Sequence, residues 1–221
     1  MTRGRFIAFE GGEGMGKSTQ ARLLSDWLQR DGIKVELTRE PGGTPGAEAI
    51  RNLLLSPPGE GWTPEAEALL FAAARADHVA RRIRPSLEAG SWVVCDRFID
   101  SSRAYQAIAG GLGDDKVSQL HRIGSAGLLP DLTLLIDAPN DAVAARLAKL
   151  QRRGGVGVDE GLLDSRLVWH VCVQNLGKSV MQLAEARGEI GLVVGPHRAR
   201  GDEMQTVAEA FHNAPPGPAQ A

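Results

Sequence analysis

The sequence predicts an α/β fold, a parallel sheet of five strands with helices on both faces. Three observations predict it. Short apolar runs alternate with longer segments whose apolar residues recur at helical spacing. The short runs show little polar alternation, as strands do when both sheet faces are covered. A glycine-rich segment ending in Lys-Ser joins the first short run to the first helical segment. On this basis strands are predicted over 6–10, 33–38, 92–95, 132–136 and 190–194. Helices are predicted over 17–30, 45–55, 64–89, 101–109, 115–126, 141–150, 162–186 and 202–211.

The first strand holds Phe6, Ile7, Ala8 and Phe9, residues that sit well in a buried sheet. It runs into Gly11, Gly12, Glu13, Gly14, Met15, Gly16, Lys17 and Ser18, which match the pattern G-x-x-x-x-G-K-[ST]. The helix that follows carries Leu23, Leu24, Trp27 and Leu28 on one face. A glycine loop between a strand and a helix is the context that gives this motif meaning. Its backbone N–H groups, from Gly11 through Thr19, can turn inward around phosphate, and the helix aims its positive end at the same anion. Lys17 is expected to reach the β- and γ-phosphates, and Ser18 to ligate Mg²⁺. The residues point to ATP or a similar triphosphate, without saying what becomes of it.

The later strands end on further polar residues. The second ends in Arg39, Glu40, Pro41, Gly42 and Gly43, the third in Asp96 and Arg97, and the fourth in Asp137. Ligands of open parallel sheets bind at these carboxyl ends. Arg39, Arg75 and Arg97 therefore suit a second phosphate-bearing molecule, which an arginine fork binds with paired hydrogen bonds. Asp96, at the tip of a buried strand, suits Mg²⁺ or its waters, and can also cap the turn after it. Phe71 and Arg75 are four apart on the helix over 64–89 and share a face. Spacing alone favours a core role for Phe71; a platform for a base is the other reading.

The chain has 221 residues, 43% of them hydrophobic and 24% charged, values that suit a single domain with a substantial core. That domain is expected over 1–211. A loop dense in Arg and Gly is expected over 151–160, and a disordered Pro/Ala-rich tail over 212–221. Net charge is -2, so no global field draws nucleic acid. Only two cysteines occur, Cys95 and Cys172, too few for a disulfide framework. Cys95 ends a strand and reads as a buried filler. The N-terminus leaves no room for a signal peptide and no apolar run reaches membrane-spanning length, so a cytoplasmic protein is expected.

Taken together these residues resemble the thymidylate kinase family, within the P-loop nucleoside monophosphate kinases. The matching segments are 9–18, 38–44, 66–75, 96–102, 104–106 and 130–137. The Arg-Glu-Pro-Gly-Gly-Thr segment from Arg39 to Thr44 and the Asp96-Arg97-Phe98 segment are specific to the family. The resemblance implies a P-loop kinase-type fold with a mobile lid, here about 151–166. It implies ATP- and Mg²⁺-dependent phosphorylation of dTMP to dTDP, commonly by a homodimer. Glu13 would lie near the acceptor's sugar or phosphate, and Arg39 and Arg97 would hold its phosphate. Phe71 would stack on thymine and Arg75 would address the base. Ser102 would read the base edge, Tyr105 would crowd the sugar 2′ position, and Gln106 would lie beside base or phosphate. The loop between Gly11 and Gly16 has no basic residue, an arrangement that in the family goes with a catalytic arginine from the lid. Arg152, Arg153 and Arg166 are the candidates, with Arg146 on the helix leading in.

The chain also departs from the family pattern. Residues 107–112 lack the usual arginine, and residues 158–166 fit the usual Asp-Arg lid pair only loosely. Residues 168–178 are unusually apolar. The alternatives are a kinase for another nucleotide or small metabolite and an inactive nucleotide-binding relative. A P-loop switch protein is disfavoured, since the chain has no Asn-Lys-x-Asp guanine signature.

Overall fold

The computed structural model describes residues 3–137 and the strands Met181–Leu183 and Gly191–Pro196. Four parallel strands form the body of the sheet: β1 (Phe6–Glu10), β2 (Val35–Arg39), β3 (Trp92–Asp96) and β4 (Leu132–Asp137). With β5 (Met181–Leu183) and β6 (Gly191–Pro196) the order is β2-β3-β1-β4-β6-β5. β1 is buried at every residue and divides its side chains by the two-residue period of a strand. Ile7 and Phe9 pack with Leu24 and Leu28 of α1 (Lys17–Arg30) on one face. Phe6 and Ala8 pack with Val79, Ile83, Leu87 and Phe98 on the other. Both faces are therefore covered, as the apolar runs require.

The helices begin where their capping chemistry says they should. α2 (Pro45–Leu55) follows Thr44, whose Oγ1 accepts from Ala47 N at 3.2 Å. α3 (Pro64–His78) follows Thr63, whose Oγ1 accepts from Ala66 N at 3.3 Å. Each has proline in its first turn, where a missing N–H costs nothing. The helix expected over 64–89 is interrupted. A π-helical turn, Val79–Ile83, separates α3 from α4 (Arg84–Glu88). Pro85 has no N–H to give to the preceding turn, so the hydrogen-bond register shifts just before it. The helix expected over 101–109 is α5 (Ile99–Ser102) continued by a second π-helical stretch, Arg103–Ala109. α6 (Asp114–Ser125) completes the described helices.

The expectation of five parallel strands needs correction. Four are parallel; β6 covers most of the predicted strand over 190–194 but runs antiparallel to β4, with Leu134 opposite Val194. A strand added beyond the parallel body can run antiparallel, because an antiparallel neighbour needs no crossover helix. β5 falls inside the helix predicted over 162–186 and pairs with β6, Gln182 opposite Val193. Three residues are too short for periodicity to separate strand from helix, so the partner decides. The lid over 151–166, the tail over 212–221 and the helices over 141–150 and 202–211 lie outside the described residues. So do Arg146, Arg152, Arg153, Arg166 and Cys172.

From β1 the chain moves to one side of the sheet for β2 and β3, and to the other for β4. The carboxyl ends of β1, β2 and β3 thus meet at a place where the direction of winding changes, the usual crevice of such sheets.

Candidate active site

The loop after β1 wraps tightly before α1. Gly16, the N-cap of α1, has φ +95°, a conformation in which a side chain would be strained. Met15 points into the core, 2% exposed, so within the loop only its backbone can face a ligand. Lys17 is 6% exposed and donates to Gly12 O at 2.6 Å. Burial, helped by the neighbouring Arg97 charge, brings its pKa down from 10.5 to about 8. A lysine kept so dry gains strongly from an anion placed against it. Ser18 Oγ donates to Asp96 Oδ2, so the loop hydroxyl and the β3 carboxylate are direct neighbours. Asp96 Oδ1 is buried without a hydrogen-bond partner among the described residues.

Arg97 follows Asp96 in a left-handed conformation, φ +69°, with its N–H donating to Phe9 O at 2.8 Å. That backbone turns the guanidinium back over the loop. Nη2 donates to Glu13 Oε1 at 2.5 Å and Nη1 to Ser101 Oγ at 3.0 Å. Burial opposes the Glu13 charge, but Arg97 and Lys17 outweigh it and hold the carboxyl below its ordinary value. The Tyr105 ring lies 5.4 Å from the Arg97 guanidinium carbon.

The end of β2 adds a second basic group. Arg39 Nη2 donates to both oxygens of Glu48, at 2.9 and 3.1 Å. Arg51, on α2, donates to Pro41 O at 2.8 Å, and its charge feels Arg39, Glu48, Glu13 and Asp96. Sequence reading missed Arg51. The only signal was its position seven residues after Thr44 on a helix that starts at a strand end. The Glu40–Pro41 peptide is cis.

Behind these residues lies a buried polar network. Glu40, 5% exposed, accepts from Arg75 Nε at 2.7 Å and from His78 Nδ1 at 3.0 Å. His78 Nε2 lies 2.7 Å from Thr38 Oγ1. Burial works against the Glu40 charge, but the Arg75 guanidinium and the His78 hydrogen bond outweigh it and lower its pKa. Arg75 also donates from Nη2 to Ser102 Oγ at 2.9 Å and to Phe98 O at 3.1 Å. Gly43 closes over this network: a Cβ there would lie 2.5 Å from His78 Nε2 and 2.6 Å from Thr38 Oγ1. Phe71, one turn before Arg75, is half-buried and belongs to neither packed cluster. Gln106 Nε2 donates to Glu67 Oε1 at 2.7 Å, tying the second π-helical stretch to α3. Cys95 is fully buried, and burial raises its thiol pKa well above the ordinary value, as a filler requires.

Glu10 was also missed. It is fully buried, and burial together with Asp100 pushes its pKa up from 4.5 to about 7. The folded chain therefore holds a proton between those values that the unfolded chain releases. The associated stability is full below pH 4.5 and is lost as pH rises through about 7. Glu10→Gln is expected to flatten this dependence. Urea midpoints from about pH 4 to about pH 8 should fall less in the variant than in the wild type; parallel curves would contradict the assignment.

A glycine cradle with a buried lysine, a Ser/Asp pair beside it and a rim of arginines define a P-loop kinase site of the nucleoside monophosphate kinase class. The family model described as thymidylate kinase matches residues 9–155. The chain belongs to the thymidylate kinase family. A thymidylate kinase of Rhizorhabdus wittichii is 64% identical over 146 residues, covering 66% of this chain and 70% of that one. One from Bradyrhizobium sp. is 50% identical over 168 residues, covering 76% and 73%. A crystal structure of thymidylate kinase from Ehrlichia chaffeensis superposes with a TM-score of 0.58 at 33% identity. It covers 77% of this chain and 97% of that one.

Proposed function

We propose that this chain transfers the γ-phosphoryl group of ATP to dTMP, giving ADP and dTDP. The observation that carries this reading is the meeting of a phosphate loop with Arg39, Arg51 and Arg97 at the carboxyl ends of β1, β2 and β3. A loop that grips one polyphosphate needs one lysine; three further arginines from other elements suit a second phosphate.

The residues divide the work. The loop from Gly11 to Thr19 and Lys17 hold the donor phosphates, and the helix start of α1 adds its dipole. Ser18 and Asp96 would hold Mg²⁺. Hard oxygens suit that ion, and the buried Asp96 Oδ1 beside Ser18, without a hydrogen-bond partner among the described residues, fits the role. Bound there, Mg²⁺ supplies positive charge to phosphate oxygens. Arg39, Arg51 and Arg97 hold the acceptor phosphate in line with the donor, and Glu13 orients Arg97 and the acceptor sugar. Phe71 supplies a flat wall for the methylated base, with Arg75, Ser102 and Gln106 at its polar edge. Tyr105 fills the space a 2′-hydroxyl would need. Arg153 and Arg166 belong to the lid in this reading and bring charge to the γ-phosphate on closure.

The chain would work as a single domain with its lid, in the cytoplasm and as a homodimer, with ATP and dTMP as its ligands and no nucleic acid or membrane. Among the described residues no helix is long and apolar enough to cross a membrane. Leu53, Leu55, Leu69 and Ile123 are exposed on α2, α3 and α6, three helices that pack together. Exposed apolar side chains of this kind suit contact with a second copy.

A coupled ADP-release assay with MgATP and a panel of nucleoside monophosphates tests the reading. dTMP should give by far the fastest release; release no faster than with water alone would overturn it. Arg97→Ala should lower kcat/KM for dTMP roughly 10²-fold, with KM for ATP nearly unchanged. An unchanged dTMP response would remove Arg97 from the acceptor site.

A further inference from the structure

We infer that Glu10 and Ser101 form a positioning device that sets the Arg97 guanidinium for the acceptor phosphate; the inference rests on the role given to Arg97 above. The device is continuous in the structure. Glu10 Oε1 accepts from Phe98 N at 2.8 Å and from Ser101 N at 3.3 Å. Glu10 Oε2 accepts from Ser101 Oγ at 2.6 Å. The same Ser101 Oγ accepts from Arg97 Nη1 at 3.0 Å. One buried carboxylate at the end of β1 thus holds both the backbone of the turn after Arg97 and the hydroxyl on which the guanidinium rests.

Two features make this more than packing. Arg97 occupies a backbone conformation that non-glycine residues rarely adopt, so the turn must be held from outside. Glu10, by accepting from Phe98 N and Ser101 N, holds it on the far side of Arg97. Second, Ser101 Oγ has a single proton, and once Glu10 is ionised, above about pH 7, that proton goes to Glu10 Oε2. The hydroxyl is left to accept from Arg97, so the carboxylate decides which way the serine points. A flexible guanidinium is thereby confined before any phosphate arrives, which lowers the ordering cost of binding.

Four variants test it by steady-state kinetics with both substrates varied. Ser101→Ala, and independently Glu10→Gln, should raise KM for dTMP and lower kcat, by about tenfold in kcat/KM. KM for ATP should stay within about twofold. In an Arg97→Ala background Ser101→Ala should add no further loss, since the serine acts through the arginine. Wild-type kinetics for dTMP in Ser101→Ala, or a loss that multiplies with that of Arg97→Ala, would overturn the inference while leaving Arg97 in its role. Arg97→Ala without effect on dTMP would overturn the role and the inference together. Melting curves separate folding loss: Ser101→Ala keeps every backbone bond to Glu10 and should melt close to wild type.

Discussion

Lys17→Ala is expected to lower kcat by roughly 10²- to 10³-fold, a loss of about 3–4 kcal/mol of transition-state stabilisation. The ammonium is 6% exposed and its pKa has fallen to about 8, so it is a charge held out of water at some cost. Negative charge that develops against it is stabilised far more than by a lysine on the surface. Alanine removes the charge and lets water into the loop. Folding should survive, because among the described residues the one side-chain hydrogen bond lost is to Gly12 O. Single-turnover phosphoryl transfer with saturating MgATP measures the effect without product release; turnover near the wild-type rate would mean the loop does not hold the donor.

Glu40→Ala should be the most damaging change to stability, lowering Tm by roughly 10 °C. The carboxylate neutralises Arg75 and accepts from His78, and all three groups are at least nine-tenths buried. Without it a guanidinium is left buried and unpaired, which costs about 3–5 kcal/mol. The His78–Thr38 contact under Gly43 loses its anchor at the same time. Differential scanning calorimetry checks the result, with Glu40→Gln as the intermediate case because it keeps the shape and one acceptor. A Tm within about 2 °C of wild type for the alanine variant would show that the network contributes little.

Much of the site was legible along the chain because it is local. The phosphate loop, its strand and its helix are contiguous, and the caps Thr44 and Thr63 with their following prolines mark α2 and α3. Asp96 and Arg97 stand out because one ends a buried strand and the other follows it. The misses share one cause. Glu10 acts on residues 88 and 91 positions away, and Glu40 on residues 35 and 38 away. Periodicity reads neighbours along the chain and is blind to partners that only the sheet brings together. β5 failed for the same reason, being a strand only by virtue of β6.

The sequence by itself determined the cradle, the order of strands and helices from β1 to β4, and which residue types end each of those strands. Backbone geometry and side-chain size settle these within a few residues. Only the tertiary structure decided the direction of β6 and the arrival of Arg51 beside Arg39 and Glu13. It alone showed that Arg75 is a buried strut tied to Glu40 and Ser102, and that Glu10 stands behind Arg97. Each depends on long-range pairing in a dry interior, where a charge must find a partner and the fold alone determines which one is in reach.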